Sequence, residues 1–192
     1  MNKFGVCFTL MLLCFLTACL PGGMAISPES AVTQELIEYN AAIPDSIRIH
    51  QSVPWQENIV VLASYTSTEG SEAASCEAVF EMEHIATGWH ASGSGIGCSI
   101  PPNTDAVTFG SGSQGVAPDD FSYAHGLVKL PSAETVEITW PDGTTQHLQV
   151  VNHSFLALRD GTFHMIARLD ILDSNETVIH EIEIMPDVQK LP

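Results

Sequence analysis

Eight histidines and 23 acidic residues are the side chains with which this chain could do chemistry, so the first question is whether their spacing lets them converge. A zinc site takes three or four converging ligands, often from HxH or HxxxH spacing, and neither spacing occurs. His84 and His90 are near each other, and an antiparallel hairpin would bring them to a two-histidine surface site. His125, His147, His153, His164 and His180 are scattered over the second half, and His180 shares a strand face with Val178 and Ile182, which reads as a hydrogen-bonded core histidine. Asp170, Asp173, Asn175 and Glu176 would cup a calcium ion at a hairpin tip, although the EF-hand spacing and its central glycine are missing. No cofactor is expected; a divalent cation at these histidines and aspartates is the only candidate.

Catalytic motifs are equally thin. There is no GxSxG elbow, and nothing singles out one Ser/His/Asp set as a triad. Asp119-Asp120, beside Pro118, reads as loop rather than as a pair of carboxylates in a cleft. Gly110 to Gly115 fits GxGxxG, but Val116-Ala117-Pro118-Asp119-Asp120 starts no helix to receive a pyrophosphate, so the stretch reads as a linker. Glu77, Glu81 and Glu83 fall on one face of a strand at steps of about 7 Å, too far apart for one ion, and read as a solvated outer face. Asn152-His153-Ser154 and Asn175-Glu176-Thr177 match the glycosylation sequon and mark exposed turns.

Charge narrows the partners. With only 6 basic residues the formal net charge is −17, which excludes nucleic acid, whose binding needs a basic footprint. Anionic lipid would also repel such a surface, so any membrane attachment must come from elsewhere. An apolar share of 45% in 192 residues is ample for one packed domain or two small ones.

At the N-terminus an apolar run, Phe4 to Leu16, follows Lys3 and ends before Pro21-Gly22-Gly23. It is shorter than the roughly 20 residues of a spanning helix and has the layout of a secretory leader. Leu16-Thr17-Ala18-Cys19 resembles the lipobox of bacterial lipoproteins. That resemblance implies a signal peptide over 1–18, lipid on Cys19 and a spacer over 19–27. The chain would then be held on the cell membrane or outer membrane, facing the extracytoplasmic space. An ordinary leader cut after Ala25 is the alternative. With Cys7 and Cys14 in the leader and Cys19 lipidated, Cys76 and Cys98 remain. In an oxidising compartment they read as a disulfide, which would stabilise by about 3 kcal/mol; a two-cysteine metal site would lack CxxC spacing.

The elements that must position these residues are mainly β, α+β overall. Ser27-Pro28-Glu29 starts a helix, with Val32, Leu36, Tyr39 and Ile43 as its apolar stripe and Pro44 as its end. Residues 28–112 then read as a helix packed on a small antiparallel sheet, with strands at Asn58 to Thr66, Cys76 to His84 and Thr87 to His90. Gly93, Gly95 and Gly97 read as a loop leading to Cys98. Further strands fall at Phe121 to Lys129, Glu134 to Trp140, Gln146 to Val151, Ser154 to Leu158, Phe163 to Leu172 and Thr177 to Met185. Val136, Ile138 and Trp140, then Phe163, Met165, Ala167 and Leu169, then Val178, Ile182 and Ile184 point inward. Asp160-Gly161 and Asp173-Ser174-Asn175 suit hairpins.

Gly126-Leu127-Val128, Val136-Glu137-Ile138, Asp142-Gly143, Phe155 and the closing hairpin around Asp173 resemble bacterial immunoglobulin-like or carboxypeptidase-regulatory-like modules. The resemblance implies an immunoglobulin-like β-sandwich over 118–186 and carries no reaction. The chain is expected to be a non-enzymatic binding or assembly module of the cell envelope, meeting an envelope protein or cell-surface polymer. The alternative is an exported metal-dependent or hydrolytic enzyme whose dispersed His and Asp/Glu residues gather in the fold.

Overall fold

The computed structural model describes residues 25–68, 72–100, 103–115, 120–162 and 165–185. The expected leader over 1–18, Cys19, Phe163 and His164 lie outside the described residues.

One α-helix, a single 3-10 turn at Pro44–Ser46 and three antiparallel sheets make up the described residues. Helix α1 (Pro28–Tyr39) opens as its sequence dictates: Ser27 Oγ accepts from the Ser30 amide at 3.2 Å, and Ser30 Oγ accepts from the Ser27 amide at 3.1 Å. Such reciprocal capping satisfies two otherwise orphaned donors. The helix buries Pro28, Ala31, Val32 and Leu36. The expected stripe stops there, because Tyr39 is 68% exposed and Ile43 lies beyond the helix. Ala41 takes a positive φ of 48°, and this turns the chain back so that Ala42 bridges to Ser67.

The first sheet runs in the order β1 (Arg48–Trp55), β2 (Asn58–Ser67), β3 (Ala74–Ile85), β4 (Gly88–Ser99). The second is β5 (Gly110–Gln114), β6 (Phe121–Leu127), β9 (Ser154–Asp160). The third is β11 (Val178–Glu183), β10 (Arg168–Leu172), β7 (Thr135–Thr139), β8 (Thr145–Gln149).

Burial shows how they stack. Helix α1 covers one face of the first sheet through Val61, Ala63, Ala78, Phe80 and Met82. The other face of that sheet, with Val60, Leu62 and Val79, meets Phe121, Tyr123, Leu156 and Leu158 of the second. The opposite face of the second sheet, with Ala124, Phe155 and Ala157, packs on Val136, Ile138, Leu169 and Ile171 of the third. The layers are therefore helix, sheet, sheet, sheet. A strand covered on both faces shows a run of buried residues rather than alternation, and β2, β6 and β9 have that pattern. The Val60 cluster draws on residues from both sides of the boundary expected between 112 and 118.

Several sequence expectations are corrected. Strand β1 was not anticipated; its mixed sequence carries Pro54, which an edge strand tolerates. Gly93, Gly95 and Gly97 form no loop but lie within β4, and Gly110 to Gln114 is no linker but β5, paired with β6. The reason is steric. A Cβ on Gly95 would collide with Tyr123 Oη, and one on Gly112 would sit 2.6 Å from the same atom. Glycine in these strands makes room for the Tyr123 ring between the two sheets. Asp160-Gly161 closes no hairpin, since β9 and β10 belong to different sheets. Asn152-His153 makes the tight turn instead: both residues have positive φ (51° and 57°), and Val151 and Ser154 exchange hydrogen bonds of 2.9 and 3.0 Å. Met165 and Val178 are exposed, not inward, whereas Val136, Ile138, Trp140, Ala167 and Leu169 are buried as expected.

Gly95→Ala is expected to lower the urea unfolding free energy by about 1–3 kcal/mol, the usual cost of overpacking. Tyr123→Phe, which deletes the clashing oxygen, should recover much of that loss in the double variant. Gly97, with nothing within 4 Å of a built Cβ, is the control: Gly97→Ala should stay within about 0.5 kcal/mol of the parent.

Candidate functional site

The sequence-predicted ligands do not converge. In the β3–β4 hairpin Glu83 lies opposite His90 and His84 opposite Trp89. Neighbouring residues on a strand point to opposite faces, so His84 and His90 are on different sides of the sheet. His84 instead meets the Trp89 ring edge-on at 5.0 Å, and His90 Nε2 is 3.6 Å from Glu83 Oε2. Asp170 and Asp173 are likewise apart in role. Asp170 is buried on β10 and accepts from Arg168 Nε at 2.7 Å. Asp173 Oδ1 accepts the backbone amides of Asn175 (2.8 Å) and Thr177 (3.0 Å), closing the β10–β11 turn. The Thr177 and Asn175 amides hold the Asp173 carboxyl below the usual carboxylate range. Among the described residues no group of three His, Cys, Asp or Glu side chains is placed to hold a metal ion.

Cys76 and Cys98 do meet. They are direct cross-strand partners and form a disulfide that ties edge strand β4 to β3.

Histidine and acid come together somewhere else, between the first and second sheets. Glu77 was expected on a solvated face, but the second sheet stacks over that face and leaves its side chain only 17% exposed. Its Oε1 accepts from Thr108 Oγ1 at 2.5 Å, and its Oε2 lies 3.4 Å from Nδ1 of His125, which projects from β6. Burial alone would push the Glu77 carboxyl up. The neighbouring His125 imidazole, the Thr108 hydroxyl and the charge of His50 together outweigh it, so the group is held below its usual 4.5. A Cβ on Gly110 would come within 2.6 Å of His125 Nε2, so this glycine too clears space for a ring. On the adjoining strands His50 Nε2 pairs with Ser64 Oγ at 2.8 Å, and Ser64 lies opposite Glu77. Burial pushes the His50 imidazole below its usual 6.5, against the Glu77 charge. A cleft of about 320 Å³ opens beside the pair, with Cys98, Phe109 and Lys129 on its walls. Chemically this is an ionised carboxylate occupied in joining two layers.

A second concavity, about 440 Å³, lies where all three sheets meet. Trp55 comes from the first sheet, Leu158 to Asp160 from the second, and Trp140 with Thr144 to Gln146 from the hairpin side of the third. Arg159 clamps Asp142 through two hydrogen bonds, 3.0 and 2.6 Å, and lies over the Trp140 ring at 5.6 Å. The guanidinium beside Asp142 holds that carboxyl far below the usual range. Trp140 is only 1% exposed, whereas Trp55 is half-buried, with its ring 5.5 Å from that of Phe121. Neither concavity was read from sequence. Their residues come from strands far apart in the chain, and the only local signals were an aromatic residue at each of two hairpin ends.

No family model, no curated protein and no solved structure matches the chain.

Acid should lower the stability of the protein over two successive pH ranges. A depressed folded-state pKa gives stability that is present above the unfolded value and is lost as pH falls through the folded one. The His50 contribution is therefore lost as pH drops below about 6.5, and the Glu77 contribution as it drops below about 4.5. Urea unfolding across this range should show each slope flattened selectively by His50→Gln and Glu77→Gln. At pH 7, Glu77→Ala should cost about 2 kcal/mol, the scale of a charge-assisted hydrogen bond with its orphaned partner.

Proposed function

We propose that the protein is an extracytoplasmic lipoprotein, tethered through lipid on Cys19, that serves as a non-enzymatic binding or assembly module of the bacterial cell envelope. The observation that carries this reading is the Cys76–Cys98 disulfide. Such bonds persist where thiols are kept oxidised and are rare in the cytosol. The leader pattern and the lipobox-like Leu16-Thr17-Ala18-Cys19 point the same way. Binding is favoured over catalysis because Glu77, Thr108 and His125 are engaged with one another across a sheet–sheet seam.

The fold proposed for the second half is immunoglobulin-like. Taken as successive strands A to G, β5 to β11 give sheets A-B-E and G-F-C-D. A constant-type immunoglobulin domain keeps D beside E; here the fourth strand sits beside the third. The partners of this reading are the membrane, through the lipid, and an envelope protein or cell-surface polymer; nucleic acid is not among them.

Expression with the native leader, followed by membrane fractionation and mass spectrometry, tests the reading. The protein should carry acyl chains on Cys19 and show no free thiol at Cys76 or Cys98, and Cys19→Ser should move it to the soluble fraction. Unacylated protein in the cytosol with both thiols free overturns it. Reducing the disulfide in the purified protein should lower stability by about 3 kcal/mol, the chain-entropy value for a loop of this size.

A further inference from the structure

We propose that the groove where the three sheets meet binds a neutral saccharide, as one or two sugar units of a cell-surface glycan. The inference rests on the binding-module reading above and supplies its ligand class. At about 440 Å³ the groove falls within the range of small-ligand sites, roughly 300–1,000 Å³. Its chemistry is split. Trp55 offers an apolar indole wall, and Gln146, which shares the inner face of its strand pair with Ile138, and Asp160 place an amide and a carboxylate around it. A pyranose has the matching split, with C–H groups on its face and hydroxyls around its rim. Tryptophan suits such an amphipathic ligand because it pairs a large apolar surface with one polar N–H.

Trp140 is not the platform. It is covered, and Arg159 lies over its ring. That same arginine is neutralised by its two bonds to Asp142, so it offers no net positive charge for an anionic polymer. Asp160 and the overall charge of −17 repel one. The ligand is therefore a neutral glycan. Trp55 Nε1 is buried and makes no hydrogen bond within the protein. An unmet buried donor is costly, and a sugar oxygen that reached it from the groove would satisfy it.

The test is calorimetric titration of the full-length protein, held in a sugar-free detergent, with maltohexaose, cellohexaose and N-acetylchitohexaose. A hexagalacturonate and a neutral Gly-Ser hexapeptide serve as the anionic and peptide probes. At least one neutral hexasaccharide should bind with a Kd of about 0.1–1 mM. Trp55→Ala should weaken it about tenfold or more and Gln146→Ala about threefold, with Trp55→Phe between them. Near-UV circular dichroism checks that the variants are folded, and Gln146→Ala, at the rim, carries the test if Trp55→Ala unfolds. The proposal is overturned if no neutral hexasaccharide binds, if hexagalacturonate or the peptide binds more tightly, or if binding is unchanged in the folded variants. Acylation at Cys19 is measured separately. A tethered protein that binds none of the sugars sinks this inference alone, and an untethered cytosolic one sinks the reading beneath it.

Discussion

Double-sided burial of the β5–β6–β9 sheet is the constraint on which the rest of the molecule depends. The buried residues of β6 and β9 must satisfy one neighbour layer or the other. Ala124, Phe155 and Ala157 serve the third sheet, while Phe121, Tyr123, Leu156 and Leu158 serve the first. A sheet in this position has no solvated face on which to place polar side chains. Those it carries must find partners inside the seam, which is why His125 meets Glu77 there and Thr108 bonds the same carboxylate. Buried polar groups of this kind are costly unless paired. Apolar packing covers most of the seam, and the Glu77–Thr108–His125 cluster joins the layers at one point of it.

That constraint also separates what was legible in the sequence from what was not. Alternation and turn chemistry are local, so the strands around Val136, Leu169 and Ile182, the Ser27 cap and the Asp173 turn were all readable. The cysteine pair was readable once the other cysteines were assigned to the expected leader and its lipobox-like end. The glycines were not readable. Gly95, Gly110 and Gly112 look like loop residues to any local rule, yet they are in strands because rings from Tyr123 and His125 occupy their missing side-chain space. The fate of Glu77 was hidden for a related reason. Its alternation was correct, but only a second sheet decides whether the outward face meets water. Both concavities are built from residues brought together by stacking, and stacking leaves no periodic trace in one chain.

The two concavities differ in what their groups are left to do. At the Glu77 seam the carboxylate is engaged with a hydroxyl and an imidazole, and its low pKa expresses that engagement. At the junction of the three sheets Arg159 and Asp142 neutralise each other over a covered tryptophan, while Trp55 keeps part of its ring at the edge and its Nε1 donor buried and unmet. The first arrangement is typical of a structural tie. The second leaves part of an indole exposed at a groove.

The layer order also sets a problem of timing for a chain made from its N-terminus. Strands β1 to β4 are complete by residue 99, but the residues that cover Val60, Leu62 and Val79 arrive with β6 and β9, the last of them near residue 158. Until then the early half presents a bare apolar sheet to its surroundings. Synthesis must cross that interval before the molecule can seal itself, so the interval, rather than the finished fold, is where it is most open to aggregation and to assistance by holding factors.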